Sequence, residues 1–399
     1  DKATRRREAT CATCATACPR SSPTRGRCPS TTGTSTASSM SSNMSPSFTT
    51  RGISCSASPP DGSLEGWATR PREDNDRCLR EAFRAVLAAS AELPPHQRLI
   101  MYDACDDAEI VEPLGPTLRK RLDPRRNTKP KKPDAQLQVC TPFDPAAFHF
   151  GKISNPDEIL LRLTLANARY KLLTNKFPLF PGHMLLVADE LVPQQLTLGH
   201  VRAVVQLVRP TSFCAYFNSW CASASVNHFH CHLIDEMPPV TRWPLVPHRA
   251  PPLGVAPCLQ PDGFPGACYV FATATTDATA LFDLIRSMQQ ANQPHNLLFT
   301  PEHVYIWPKP LQRPARSFEL YPETVGGPEL LGSFTVYQQA DYEALSAADA
   351  AALCEMNTAP PAAVPVRRGP AITPSRTWDG ASMMRLESAA AADDDDDDD

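Results

Sequence analysis

Residues His228–Ile234 read HFHCHLI. Ten histidines in 399 residues would give an HxHxH pattern by chance about 0.006 times, so coincidence is a poor account of it. Alternate side chains of an extended strand share a face. The imidazoles of His228, His230 and His232 would then point one way, about 6.6 Å apart in succession. Phe229, Cys231 and Leu233 would point the other way, into a core. A cluster with no role is disfavoured, because three aligned imidazoles repel once protonated. A metal site has good strand geometry in HxH but no Glu or Cys at a companion spacing. A neutral imidazole attacking phosphorus suits histidine, which is largely uncharged and nucleophilic near neutral pH.

The neighbouring residues favour phosphorus chemistry. Asn218–Asn227 (NSWCASASVN) is a loop of small polar residues leading into the histidine strand. Such a loop can turn backbone N–H groups and the Ser223 and Ser225 hydroxyls onto phosphate oxygens. Upstream, TNKFPLFPGHMLLV joins two strands through a turn holding Pro178, Pro181 and Gly182. It sets Asn175 and His183 at adjacent strand ends, within reach of one pocket.

HFHCHLI resembles the histidine-triad signature, and NKFPLFPGHMLLV resembles the segment that precedes it in that superfamily. KLLTNKFPLFPGHMLLV with FNSWCASASVNHFHCH is similar to the transferase branch: the diadenosine tetraphosphate phosphorylases (ATP adenylyltransferases), GDP-hexose phosphorylases and galactose-1-phosphate uridylyltransferases. HNLLFTPEHVYIWP and GGPELLGSFTV resemble the C-terminal half of the first of these, and FDPAAFHFGKI a stretch of the second. The resemblance implies that His230 carries a nucleotidyl group, that His228 orients and supports it, and that His232 completes the catalytic set. Asn175, His183, Asn218, Ser223, Ser225 and Asn227 would bind substrate. Transferases of this type usually carry Gln at the third position and hydrolases His, so His232 leaves phosphate or water as the acceptor. The leading expectation is phosphorolysis of a dinucleoside polyphosphate. The alternatives are a GDP-hexose phosphorylase, a nucleotide hydrolase and a catalytically silent nucleotide-binding protein. The expected partners are a nucleotide and inorganic phosphate. No cofactor is required, although Mg²⁺ on the substrate phosphates is compatible with the reading. No nucleic-acid or membrane partner is expected.

Around this centre the chain reads as α+β: an antiparallel sheet with helices packed on it. Strands are expected at 158–165 and 168–175 around a turn at Ala166–Asn167, at Gly182–Glu190 and at Ser212–Asn218, with a helix over Gln194–Val208. A second block repeats the order loosely: strand Ala267–Thr273, helix Leu281–Asn292, strands Asn296–Thr300 and His303–Pro308. It reads as a diverged half-repeat. Five units are expected: a low-complexity leader (1–65), a helical segment and basic linker (66–139), a catalytic half (140–250), a second half (251–358) and a disordered tail (359–399) ending in Asp393–Asp399. Arg119–Lys132 holds eight Lys or Arg against one acid, Asp123, and reads as a solvated linker. Trp307 and Trp243 read as core residues.

Composition sets the outer bounds. No run of eighteen apolar residues exists, which excludes a membrane-spanning helix. Net charge is −4, and the terminal Asp run accounts for it, so bulk charge names no partner. The fourteen cysteines form neither a disulfide framework nor a zinc ribbon, and a reduced, cytoplasmic setting is expected. The acid-poor stretch Ala9–Pro60 keeps an organelle as the alternative.

Overall fold

The computed structural model describes residues 67–104, 110–115, 117–128, 138–251, 257–311 and 314–361. The leader, its Cys11/Cys14/Cys18 group and the Asp-rich tail lie outside these. In chain order the elements are α1 (Arg72–Ala91), β1 (Ile110–Pro113), β2 (Arg119–Leu122), β3 (Ile159–Leu165), β4 (Ala168–Thr174), β5 (Met184–Ala188), α2 (Leu198–Val208), β6 (Cys214–Asn218), β7 (His230–Ile234), β8 (Leu245–Pro247), β9 (Leu259–Pro261) and β10 (Tyr269–Ala272). They continue with α3 (Ala278–Gln290), β11 (His295–Phe299), β12 (His303–Pro308), α4 (Ser317–Leu320), α5 (Gly327–Leu330), β13 (Ser333–Val336), α6 (Gln339–Ala344) and α7 (Ala347–Met356).

Ten strands form one antiparallel sheet in the order β3-β4-β5-β7-β6-β11-β12-β10-β9-β8. The β3–β4 hairpin closes through Ala166 and Asn167, both left-handed at φ 46° and 63°, as a two-residue turn matching strand twist requires. Strand alternation sorts the side chains. One face carries Leu172, Leu186, Phe217, Phe229, Cys231, Leu233, Leu297 and Ile306, packed in one core with residues of α1, α2 and α3. α1 starts directly after Pro71, which stands at its cap, and Glu73 and Asp74 occupy its first turn. It is pinned to the end of the histidine strand by a forked pair from Arg80 to Asp235, at 2.5 and 2.7 Å. α2 opens on a capping box of Thr197 and His200, and α3 on Asp277, whose side chain accepts from the Thr279 N–H.

The other face is divided. A core of Tyr216, Ile234, Leu298, Tyr305, Trp307, Tyr321 and Phe334 with residues of α5 and α7 covers one part. A small group of Phe150, Leu173, Leu185 and Val187 covers another. The even-numbered residues of β7 emerge on this face, between the two groups.

The described part of the basic segment, residues 119–128, is not a linker. Arg119–Leu122 is the central strand of a three-stranded sheet, antiparallel to β1 and parallel to β13. Its charges are met by distant partners. Arg119 lies 2.5 Å from Glu236, the Lys120 ammonium donates to the Tyr342 carbonyl at 2.8 Å, and Arg121 sits over the Phe180 ring.

Candidate active site

Hydrogen bonds assign the protons on the histidines. Nδ1 of His230 lies 2.8 Å from the His228 carbonyl oxygen. A carbonyl only accepts, so Nδ1 carries the hydrogen and the lone pair of the neutral ring is on Nε2. Nδ1 of His183 accepts from the Leu179 N–H at 3.0 Å, which puts its hydrogen on Nε2. That Nε2 lies 3.0 Å from Nδ1 of His232, so His232 accepts there and holds its own hydrogen on Nε2. His232 also stacks on Tyr216, with ring centroids 4.4 Å apart and planes 3° off parallel. Asn175 stands 3.0 Å from the same His183 Nε2. The strand ends expected to meet therefore do.

His228 contributes differently from the expectation. Its backbone carbonyl accepts from the His230 ring at 2.8 Å. The ring turns to donate from Nε2 to the Glu190 carbonyl at 2.9 Å, and Nδ1 is buried without a hydrogen-bond partner. Burial pushes His228 below its ordinary pKa, against the opposing effect of the Glu190 bond.

Gln194 escaped the sequence reading. Its buried amide donates to the carbonyls of Asn218 (2.9 Å) and His230 (3.0 Å), and accepts from the His230 N–H (2.8 Å). It stands between β6 and β7 where their direct pairing ends at Tyr216–His232, and supplies the bonds that the ladder would otherwise make. A buried His230 peptide left without them would cost about 1–3 kcal/mol. Asn296 was also missed. Its amide donates to Oδ1 of Asn218 (2.7 Å) and to the Ala222 carbonyl (2.8 Å), fixing the loop to the sheet.

Asn218, Ser223, Ser225 and His232 line a cavity of about 440 Å³, with Arg126, Tyr216, Glu323, Glu329 and Tyr337 among its other walls. Ser223 is buried in a left-handed conformation, φ 80°, its hydroxyl without a hydrogen-bond partner. Such a backbone costs roughly 1–3 kcal/mol and marks functional loops. The Gly326–Gly327 turn seals this side. A Cβ on Gly326 would fall 2.6 Å from Oγ of Ser223, and one on Gly327 2.6 Å from Oδ1 of Asn218; only glycine permits the approach.

Five candidates are not among the residues lining the cavity: Asn175, His183, Asn227, His228 and His230. Asn227 does not line it; its amide donates to the Thr141 and Pro142 carbonyls and accepts from the Gln194 N–H. It ties residues 141–142 to the clamp. His230, 3% exposed, faces the same side of the sheet as His232 but lies beneath Phe150, with ring centroids 5.0 Å apart. The FHFGK stretch packs over it, which local strand geometry could not reveal. Among the described residues no group of three or more His, Cys, Asp or Glu is placed to hold a metal ion. No helix among them is long and apolar enough to cross a membrane.

The yeast Ap4A phosphorylase Apa2, solved in complex with Ap4A, superposes with a TM-score of 0.50 at 16% identity, over 70% of this chain and 97% of that one. The likeness is one of fold, shared with that phosphorylase. A family model described as GDPGP1-like, N-terminal domain, matches residues 102–234 and so ends on the last residue of the histidine strand. GDP-D-glucose phosphorylase 1 of Danio rerio is 38% identical over 118 residues, 28% of this chain and 34% of that protein. The Bos taurus protein of the same name is 29% identical over 276 residues, 61% and 70% of the two chains. The match to the fish relative thus spans about a third of its length. The sequence relatives and the structural relative carry different names, and the histidine-triad phosphorylases as a group are what the chain resembles.

Proposed function

We propose that this chain is a nucleotidyltransferase that cleaves a GDP-hexose with inorganic phosphate through a nucleotidyl-histidine at His230. One observation carries the chemistry: the bond from His230 Nδ1 to the His228 carbonyl, which leaves the basic nitrogen on Nε2. Nε2 bonds to the phosphorus of the nucleotide's inner phosphate as the bond from that phosphorus to the bridging oxygen breaks. The electron pair leaves with the hexose 1-phosphate, a stable anion that needs no proton. A phosphate oxygen then bonds to the same phosphorus as the P–N bond breaks, giving GDP and the neutral ring. Holding the reactants in contact is worth about 7–11 kcal/mol in well-oriented cases. Donors on the developing charge, from the Ser223–Asn227 loop and His232 Nε2, add electrostatic stabilisation.

The GDP-hexose reading replaces diadenosine tetraphosphate as the leading substrate. The relatives recognised by sequence are named for GDP-D-glucose, whereas the likeness to the Ap4A enzyme, at 16% identity, concerns the fold. The test is a substrate panel of GDP-glucose and diadenosine tetraphosphate, each with and without phosphate, followed by ³¹P NMR. The expected result is GDP and glucose 1-phosphate from GDP-glucose only when phosphate is present. GMP released without phosphate would make the chain a hydrolase, and faster cleavage of diadenosine tetraphosphate would restore the other substrate.

A further inference from the structure

Arg126 is the only arginine or lysine among the residues described as lining the cavity. It is 4% exposed. Its Nη1 donates to the carbonyls of Phe177 (2.7 Å) and Pro178 (3.3 Å), and its Nε reaches the Tyr337 hydroxyl at 3.4 Å. None of these partners carries a charge, and no ion pair joins Arg126 to a carboxylate among the described residues. The nearest acid in sequence, Asp123, is paired with Arg125 at 2.7 Å. Of the two carboxylates in the cavity wall, Glu329 accepts from the Tyr321 hydroxyl and the Gly326 N–H, while Glu323 lines the wall half-buried. A buried guanidinium without a counter-charge is costly unless an anion completes it.

A second observation is independent of the first. The Ser223 hydroxyl, on the wall of the same cavity, is buried with no hydrogen-bond partner. Arg126 is also tied to the histidines by a short chain of contacts. It holds the carbonyls of Phe177 and Pro178, the next residue's N–H (Leu179) donates to His183, and His183 meets His232. The cation, fixed by these carbonyls, therefore shares the wall of one polar cavity with His232.

We propose that the Arg126 and Tyr337 end of this cavity is a phosphoryl-binding subsite. A planar guanidinium suits phosphate oxygens. The phosphoryl group arrives either on a hexose 1-phosphate or as inorganic phosphate. This deepens the GDP-hexose reading, and rests on it for the identity of these two sources.

The experiment is calorimetric titration of the full chain with inorganic phosphate and, separately, with glucose 1-phosphate, for the wild type, Arg126→Met, Arg126→Lys and Tyr337→Phe. Near-ultraviolet circular dichroism checks each fold. The expected result is binding to the wild type, a loss of at least tenfold in Arg126→Met, and an intermediate loss in Arg126→Lys. A loss confined to glucose 1-phosphate assigns the subsite to the leaving group, and a loss for inorganic phosphate assigns it to the acceptor. Either supports the subsite. If Arg126→Met fails to fold, Arg126→Lys decides alone. Unchanged affinities in the folded arginine variants, or no binding of either anion to the wild type at millimolar concentration, would overturn it. Arg126-dependent binding in a protein that makes no GDP from GDP-glucose would leave the subsite standing and refute the proposed reaction.

Discussion

The segment β5–α2–β6–β7 and the segment β10–α3–β11–β12 take the same path through the sheet. Their strands lie in the order β5-β7-β6 and then β11-β12-β10, so the second half mirrors the first across the β6–β11 junction. Asn218 and Asn296 face each other at that junction. Counting outward from it, His232, opposite Tyr216, corresponds to Tyr305, opposite Leu298. In the cross-strand row of Asn218 and Asn296, Trp307 lies opposite Asn296 on one side and His230, one alternation beyond His232, lies on the other. In the second half the pairing runs unbroken to His295–Pro308, and Tyr305 and Trp307 are buried in a core. In the first half the pairing stops at Tyr216–His232, and the Gln194 amide takes its place. One topology thus serves two ends. A closed ladder bearing large aromatic rings makes core, and an opened ladder bearing imidazoles beside a cavity makes a site.

The sharpest break in that comparison is His230→Gln. On the proposed reaction, steady-state phosphorolysis of GDP-glucose is expected to fall more than about a thousandfold, since the proposed nucleophile is gone, with an unchanged circular dichroism spectrum. Its counterpart Trp307→Ala is expected to act on stability, by about 3–5 kcal/mol in urea unfolding as for other buried large aromatics. If Trp307→Ala abolished turnover in protein that stayed folded, the division of labour between the halves would be wrong. Gln194→Leu probes the opened ladder. Three backbone groups lose their partners, and a cost of about 1–3 kcal/mol for each group left unsatisfied is expected, with kcat reduced about tenfold or more and the substrate KM little changed, because a displaced His230 affects the transition state more than binding. A variant with full kcat would reduce Gln194 to a structural spacer.

The smallest effect near neutral pH concerns His295. Its Nδ1 donates to the carbonyl two residues back, that of Gln293, at 2.9 Å, the same local bond that His230 makes to His228. Its ring, however, is completely buried beside Phe217 on the helical face, and burial lowers its pKa from 6.5 to about 4. The unfolded chain therefore binds the proton first, and stability is lost as pH falls from about 6.5 towards 4. His200, also lowered by burial to about 4, adds to the slope. His295→Phe should flatten the dependence of the urea midpoint over that range, and an identical slope would show that His295 takes no part in it.

His295 also shows where local reading stops. It and His230 share a backbone-bonded tautomer at the first residue of a strand, yet one is core and the other lies beside His232, which lines the cavity. The two-residue turn at Ala166–Asn167, the apolar alternation of Phe229, Cys231 and Leu233, and the pairing of Asn175 with His183 were legible, because each is set within a few residues. Gln194, Asn296 and Arg126 were not. Their partners lie 24 to 36, 74 to 78 and 51 to 52 residues away. Arg119–Leu122 looked like linker for the same reason, its counter-charge Glu236 being more than a hundred residues on.

By itself the sequence determined that His230 and His232 alternate on one strand with apolar residues behind them, and that a second run of strand, helix and strands follows the first; His228, which the alternation also placed on that strand, lies just before it. Alternation is a property of the extended backbone and needs no partner. Only the tertiary structure decided which ring nitrogen is basic, which half opens into a cavity, that Phe150 covers His230, and that a buried arginine faces the space. Those depend on which distant carbonyls, amides and charges meet, and such meetings are fixed by packing across the whole sheet.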